Sequence, residues 1–138
     1  VPVGWYHITP ASASPLSVPV GRIVLVQLPA DAAALAAQRG YLPARIPLLK
    51  RVGAVAPQHV CTVDGKLRID GLPVAALLAA DRMGRPLPSW QQCRRLIDDE
   101  LFLLGDTQPA SFDSRYFGPI QASAVLGTAQ PIRLEQRP

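Results

Sequence analysis

Lys50 stands inside the apolar run Ile46-Pro-Leu-Leu-Lys-Arg-Val52, and a lysine in such company is a candidate base. At neutral pH a free lysine is protonated, and making it neutral costs about 4–5 kcal/mol from a reference pKa near 10.4. Desolvation lowers a lysine pKa by up to about 3–5 units, so burial beside Leu48 and Val52 supplies energy of the right order for a neutral amine acting as general base. The plainer use is a stem laid on apolar surface at a strand edge with the amine in water.

A second concentration of chemistry runs from Gly105 to Gly118: Gly-Asp-Thr-Gln-Pro-Ala-Ser-Phe-Asp-Ser-Arg-Tyr-Phe-Gly. Packing alone gives no reason to place Ser111, Asp113, Ser114 and Arg115 between the apolar Leu101–Leu104 and the aromatic pair Tyr116-Phe117. For Asp113 and Arg115 the plain alternative is a surface ion pair, worth at most about 1 kcal/mol. Taken with the Lys50 run, this block resembles the two C-terminal signature blocks of type I signal peptidases, specifically the TraF-type peptidases of conjugative transfer systems. The resemblance implies that Ser111 hydrogen-bonds the Lys50 amine and orients it. It also implies that Asp113 and Arg115 pair to brace the loop, together with Asp106 of the opening Gly-Asp. The family's usual asparagine after Gly-Asp is Thr107 here.

A serine–lysine mechanism needs a nucleophile, and the TraF-type signature for it is Ser-x-Pro-x-Gly followed by an aromatic residue. Val1-Pro2-Val3-Gly4-Trp5-Tyr6 fits everything after the serine, which would fall immediately before Val1. Ser17-Val18-Pro19-Val20-Gly21 fits the letters, but Arg22 replaces the aromatic and no loop separates it from the next strand. The first copy is preferred and Ser17 is the alternative, with Ser12 and Ser14 behind it. On this reading the chain lacks its N-terminal membrane anchor and its nucleophile, and is inactive as it stands.

Other sets are weaker. His7 and His59 with Ser111 and Asp113 have the residue types of a hydrolase triad but no nucleophile elbow. His7, His59, Cys61 and Cys93 have zinc-ligand types in the wrong spacing, so no metal or other cofactor is expected. Gly84-Arg-Pro-Leu-Pro88 also occurs in TraF-type sequences, and its prolines read as a rigid turn. Trp5, Tyr6 and Trp90 suit either a membrane-facing rim or, more commonly, core packing.

The elements that must position these residues are mostly strands. Val3–Ile8 is a short strand that Thr9-Pro-Ala-Ser-Ala-Ser-Pro15 interrupts. Gly21–Leu28 is a nearly continuous apolar β-former ended by Pro29. Asp31–Arg39 is alanine-rich with Gly40 beyond it, the signals of a helix. Leu48–Val55 is a second buried strand, and alternation puts Leu48, Lys50 and Val52 on one face with Leu49 and Arg51 on the other. Asp64-Gly65 and Asp70-Gly71 separate apolar pieces and predict a meander through two tight turns. Val74–Ala80 is ambiguous, Leu101–Leu104 is a strand leading into the polar block, and Ala124–Leu134 closes the chain as β structure.

These 138 residues suit a single domain, 1–138, with one core. A hydrophobic content of 49% with 17% charged residues argues against disorder, yet no run reaches the length of a membrane span. The net charge of +4 comes from scattered arginines whose longest clusters are pairs, so nucleic acid is not an expected partner. Cys61 and Cys93 permit one disulfide, worth about 3–4 kcal/mol in the chain-entropy account; two buried thiols in a reducing cytosol are the alternative.

From the resemblance follow a mostly β, signal-peptidase-like fold, shared with LexA-type repressors, with one or two short helices. It implies an inner-membrane enzyme with its catalytic domain in the periplasm and a pilin-type pro-protein as substrate, cleaved or cyclised head to tail. A periplasmic domain would also favour the Cys61–Cys93 bridge. Two other functions fit the chain: a self-cleaving repressor-type serine–lysine protease, and a non-catalytic periplasmic interaction module of the transfer apparatus.

Overall fold

The structure, a computed structural model, describes residues 1, 4–10, 18–41, 47–105 and 111–134. Within them the chain is mostly β, as its sequence predicts. The elements are β1 (Gly4–Pro10), β2 (Ile23–Val26), α1 (Ala30–Gln38), β3 (Leu48–Val55), β4 (His59–Val63), β5 (Lys66–Ile69), β6 (Leu72–Ala76), β7 (Cys93–Arg95), β8 (Glu100–Leu104), α2 (Ser114–Phe117), β9 (Ile120–Gln121) and β10 (Val125–Leu134). Six strands form an antiparallel sheet in the order β1-β10-β2-β3-β8-β9, and four form a second in the order β6-β5-β4-β7.

The two central strands, β2 and β3, carry the apolar runs that sequence reading marked as buried. Val24, Val26 and Val52 form one core cluster with Leu101, Leu103, Ile120 and Val125. A second cluster joins Ala54 and Phe102 of the large sheet to Val60, Leu67 and Ile69 of the small one. Gly53 makes this possible. The β3–β8 register slips between Val52 and Ala54, so Val52 faces Leu103 while Ala54 faces Phe102 on the other side of the sheet. Simple alternation holds as far as Val52; the bulge then turns the strand's small residue toward the second core.

Both predicted tight turns form, with Asp64 and Gly65 at φ 54° and 71° and Asp70 and Gly71 at 50° and 82°. Two positive φ angles in succession are what a type I′ hairpin requires. The cysteines lie opposite each other on β4 and β7 and are joined as a disulfide.

Four local expectations change. β1 runs through Thr9 to Pro10, which faces Gly127, because β1 is an edge strand and an edge tolerates proline. β2 starts at Ile23, since Gly21 turns the chain at φ 92°. Only the first part of Val74–Ala80 is strand, and Asp113 caps a short helix, α2, where the sequence suggested only a polar loop.

Candidate active site

Lys50 sits on β3 opposite Val24 of β2. On its other side β3 pairs with β8 through Val52↔Leu103 and Arg51↔Leu104, so the next step of that register sets Lys50 against Gly105. Having no side chain, Gly105 leaves a space that two polar groups share. A Cβ at Gly105 would lie 3.4 Å from Lys50 Nζ, 2.5 Å from Ser111 Oγ and 2.3 Å from Ser111 Cβ. The amine and hydroxyl singled out in sequence, sixty-one positions apart, thus converge on one point at the end of β8. Both side chains are half-buried and line a cleft of about 570 Å³. Arg51 turns away, donates from Nη1 to the Gly21 carbonyl at 2.8 Å and lines a different cavity.

Behind Ser111 lies a clamp centred on Asp113, which is fully buried. Its carboxylate accepts from the Gly105 amide at 2.9 Å, from the Arg115 amide at 3.0 Å, and from Arg115 Nε and Nη2 at 2.8 and 2.9 Å. Arg115 also donates to the carbonyls of Ala76 at 2.7 Å and Ser111 at 3.2 Å. Burial works against the Arg115 charge, but the Asp113 hydrogen bonds and attraction raise its pKa above the ordinary arginine value. Ser114 completes the set, its Oγ accepting from the Leu103 amide at 2.8 Å.

The logic is that of a missing strand. β9 pairs with β8 only at Glu100 and Leu101, leaving the amides of Leu103 and Gly105 on that edge without a ladder partner. Buried amides need acceptors, and the side chains of Ser114 and Asp113 supply them. Asp113 and Ser114 therefore finish a sheet edge, one on each amide, close to Ser111.

The opposite wall of the cleft is the turn that contains Gly84-Arg-Pro-Leu-Pro88. Asp81 is its centre: the carboxylate accepts from the amides of Met83 and Arg85, from Arg85 Nε at 2.7 Å and from the Tyr41 hydroxyl at 2.7 Å. Burial works to raise the Asp81 carboxyl, but the bonds from Tyr41, Arg85 and Met83 outweigh it and hold the pKa at about 2. Arg39, just past α1, donates to the Pro86 carbonyl at 2.8 Å, and Gly84 takes φ 77°. The turn is thus tied together by hydrogen bonds and docked on the end of α1.

Tyr116 joins the two walls. Its ring stacks on Phe112 at 5.9 Å and lies 5.3 Å from the Arg115 guanidinium, and its hydroxyl accepts from the Leu78 amide at 3.1 Å. Ala32 and Ala36 of α1 pack on the same aromatic cluster.

Of the remaining candidates, Ser12, Ser14, Ser17, Asp106 and Thr107 lie outside the described residues. Asp113 is committed to Arg115 and Gly105, which takes it out of the triad set with His7, His59 and Ser111. The bridge between Cys61 and Cys93 removes both from any zinc set, and no cluster of three metal-ligating side chains occurs among the described residues. Trp5 is 74% exposed rather than packed in the core, whereas Trp90 packs on Phe102 at 5.4 Å. Sequence reasoning missed Gly105 as the shared contact point and Asp81 as the organiser of the facing wall. The first had a signal, since Gly105 opens the polar block; the second had only the proline-rich turn.

The family model described as "Signal peptidase, peptidase S26" matches residues 1–133. The chain belongs to this signal peptidase family. Within it the chain is TraF-like. It is 37% identical over 106 residues to a plasmid transfer protein TraF of Escherichia coli, covering 70% of this chain and 60% of that protein. It is 38% identical over 122 residues to a probable conjugal transfer protein TraF of Sinorhizobium fredii, covering 82% of this chain and 63% of the relative. The chain therefore spans less than two thirds of the length of these relatives. A signal peptidase I structure from Enterococcus faecalis aligns at 18% identity and a TM-score of 0.46, over 83% of this chain and 98% of that one.

Proposed function

We propose that this signal-peptidase-like protein is the catalytic domain of a serine–lysine endopeptidase of a conjugative transfer system, which processes a pilin-type pro-protein. The observation that carries the reading is the convergence of Lys50 Nζ and Ser111 Oγ on Gly105 inside a cleft. In this mechanism a serine immediately before Val1 in the parent protein attacks the scissile carbonyl while Lys50 takes its proton. Ser111 orients the amine, and the Asp113–Arg115 clamp keeps Ser111 in place. The tetrahedral intermediate collapses with the proton passing to the leaving amine, which gives an acyl-enzyme. Water then releases the acid, or the substrate's own terminal amine attacks and closes a ring.

The Cys61–Cys93 bridge supports a domain that faces an oxidising compartment, because disulfides persist in the periplasm and are rare in the cytosol. That favours the inner membrane, with this domain on the periplasmic side, over a cytosolic self-cleaving repressor. Membrane attachment would come from an N-terminal anchor ahead of Val1.

The test is Lys50→Ala and Lys50→Arg in the full-length protein, with pilin maturation followed by mass spectrometry in donor cells. Both variants are expected to leave the precursor unprocessed, since an arginine cannot lose its proton to act as base. Unchanged maturation in either, or a residue other than serine before Val1, would remove the mechanism.

A further inference from the structure

The tip of the turn facing Lys50 and Ser111 carries two exposed side chains. Met83 is 77% exposed, and Arg82 beside it is also exposed. Arg85 and Arg39 are occupied by Asp81 and by backbone carbonyls, but among the described residues nothing engages the Arg82 guanidinium. Both tip residues nevertheless line the cleft that holds the lysine and the serine. That lining includes four basic side chains, Arg39, Lys50, Arg82 and Arg85, against one carboxylate, Asp81.

Everything beneath the tip is fixed. Asp81 accepts from Met83 and Arg85, the Gly84 amide donates to the Asp81 carbonyl at 3.0 Å, and the Leu87 amide donates to the Ala79 carbonyl at 3.0 Å. This hydrogen-bonded platform presents a guanidinium and an exposed thioether to the cleft. A guanidinium in this position favours a carboxylate and repels a cation, whereas a methionine adapts to apolar side chains of varied shape.

We propose that Arg82 and Met83 are specificity-determining residues, and that the cleft selects a peptide segment with an acidic and an apolar side chain within a few residues of the scissile bond. This rests on the peptidase reading above and adds to it the chemical character of the substrate. Arg82 pairs with the substrate carboxylate at the cleft rim, and Met83 covers the apolar side chain beside it.

The experiment incubates the full-length protein with a proteome-derived peptide library and reads the cleaved sites by mass spectrometry. The wild-type profile is expected to show Asp or Glu enriched about fivefold at one position near the cut, the size of effect that an exposed charge pair produces. Arg82→Gln flattens that enrichment, Arg82→Glu turns it toward Lys and Arg, and Met83→Ala weakens the apolar preference alone. At about 1 M salt, where the Debye length is about 3 Å, the wild-type acidic preference shrinks. Because the profile compares sites cut by the same molecules, a partly unfolded variant still reports its selectivity. An acidic preference that survives Arg82→Glu, or a wild-type profile indifferent to charge, overturns the proposal while the peptidase reading stands. A wild-type protein that cuts no peptide, indistinguishable from Lys50→Ala, overturns both.

Discussion

Asp113 and Asp81 each gather an arginine and backbone amides, and the groups they hold form facing walls of one cleft, yet their settings differ. Asp113 is sealed from solvent, and of its four hydrogen bonds one satisfies the Gly105 amide at the sheet edge and three hold Arg115. Asp81 retains 7% of its side-chain exposure and organises a surface turn on the end of α1. The contrast teaches that Asp113, Ser114 and Arg115 along the first wall serve as scaffold beside the Ser111 hydroxyl. The second wall combines a hydrogen-bonded base with an exposed tip.

The sharpest break of this comparison is Asp113→Ala. It leaves the Arg115 guanidinium buried without its counter-charge and strips the Gly105 amide of its acceptor, a loss expected to cost about 3–5 kcal/mol in denaturant unfolding. Next comes Gly105→Ala. Its methyl would lie 2.3 Å from Ser111 Cβ, so the serine must shift out of the space that it and the lysine line. Displacement on that scale is expected to lower the maturation rate about 100-fold, with a much smaller change in unfolding midpoint. If Gly105→Ala matures substrate at the wild-type rate, the two polar groups do not act together.

Asp81→Asn is expected to destabilise less than Asp113→Ala and to act through the turn, raising KM for a peptide substrate more than it lowers kcat. Its pH signature sharpens the contrast. With a folded pKa of about 2, below the unfolded carboxyl value, Asp81 contributes stability in full above about pH 4 and loses it as pH falls through about 2. The stability difference between wild type and Asp81→Asn should therefore narrow across that window. Asp70 and Glu100 are also lowered, but both proteins carry them and the difference cancels them. A gap that stays constant down to pH 2 would mean that Asp81 is not the charged centre of the turn.

The strands that carry the site were legible because each rests on a local signal. Alternating or continuous β-branched residues marked β2 and β3, and Asp-Gly pairs marked the hairpins of the small sheet. The lysine and serine were legible only through the resemblance of two distant blocks, since nothing in the spacing of Lys50 and Ser111 says that they meet. What stayed hidden depends on neighbours remote in sequence. The Gly53 bulge, which shifts Ala54 to the second core, is set by packing against Phe102. The helix after Asp113 is a single turn held by a cap and by the amides of Leu103 in β8 and Gly105 just past it, too short to leave a periodic pattern. The Asp81 cluster joins Tyr41 and Arg39 to residues about forty positions later, a contact that no local propensity encodes.

The strut formed by Tyr116 has a consequence for how such a protein changes over generations. Because one phenol connects the sealed clamp to the segment leading into the turn, the exposed side chains of Arg82 and Met83 can be exchanged without removing the Tyr116–Leu78 hydrogen bond between the two walls. A lineage can vary these two fingertips while the hand beneath keeps its shape.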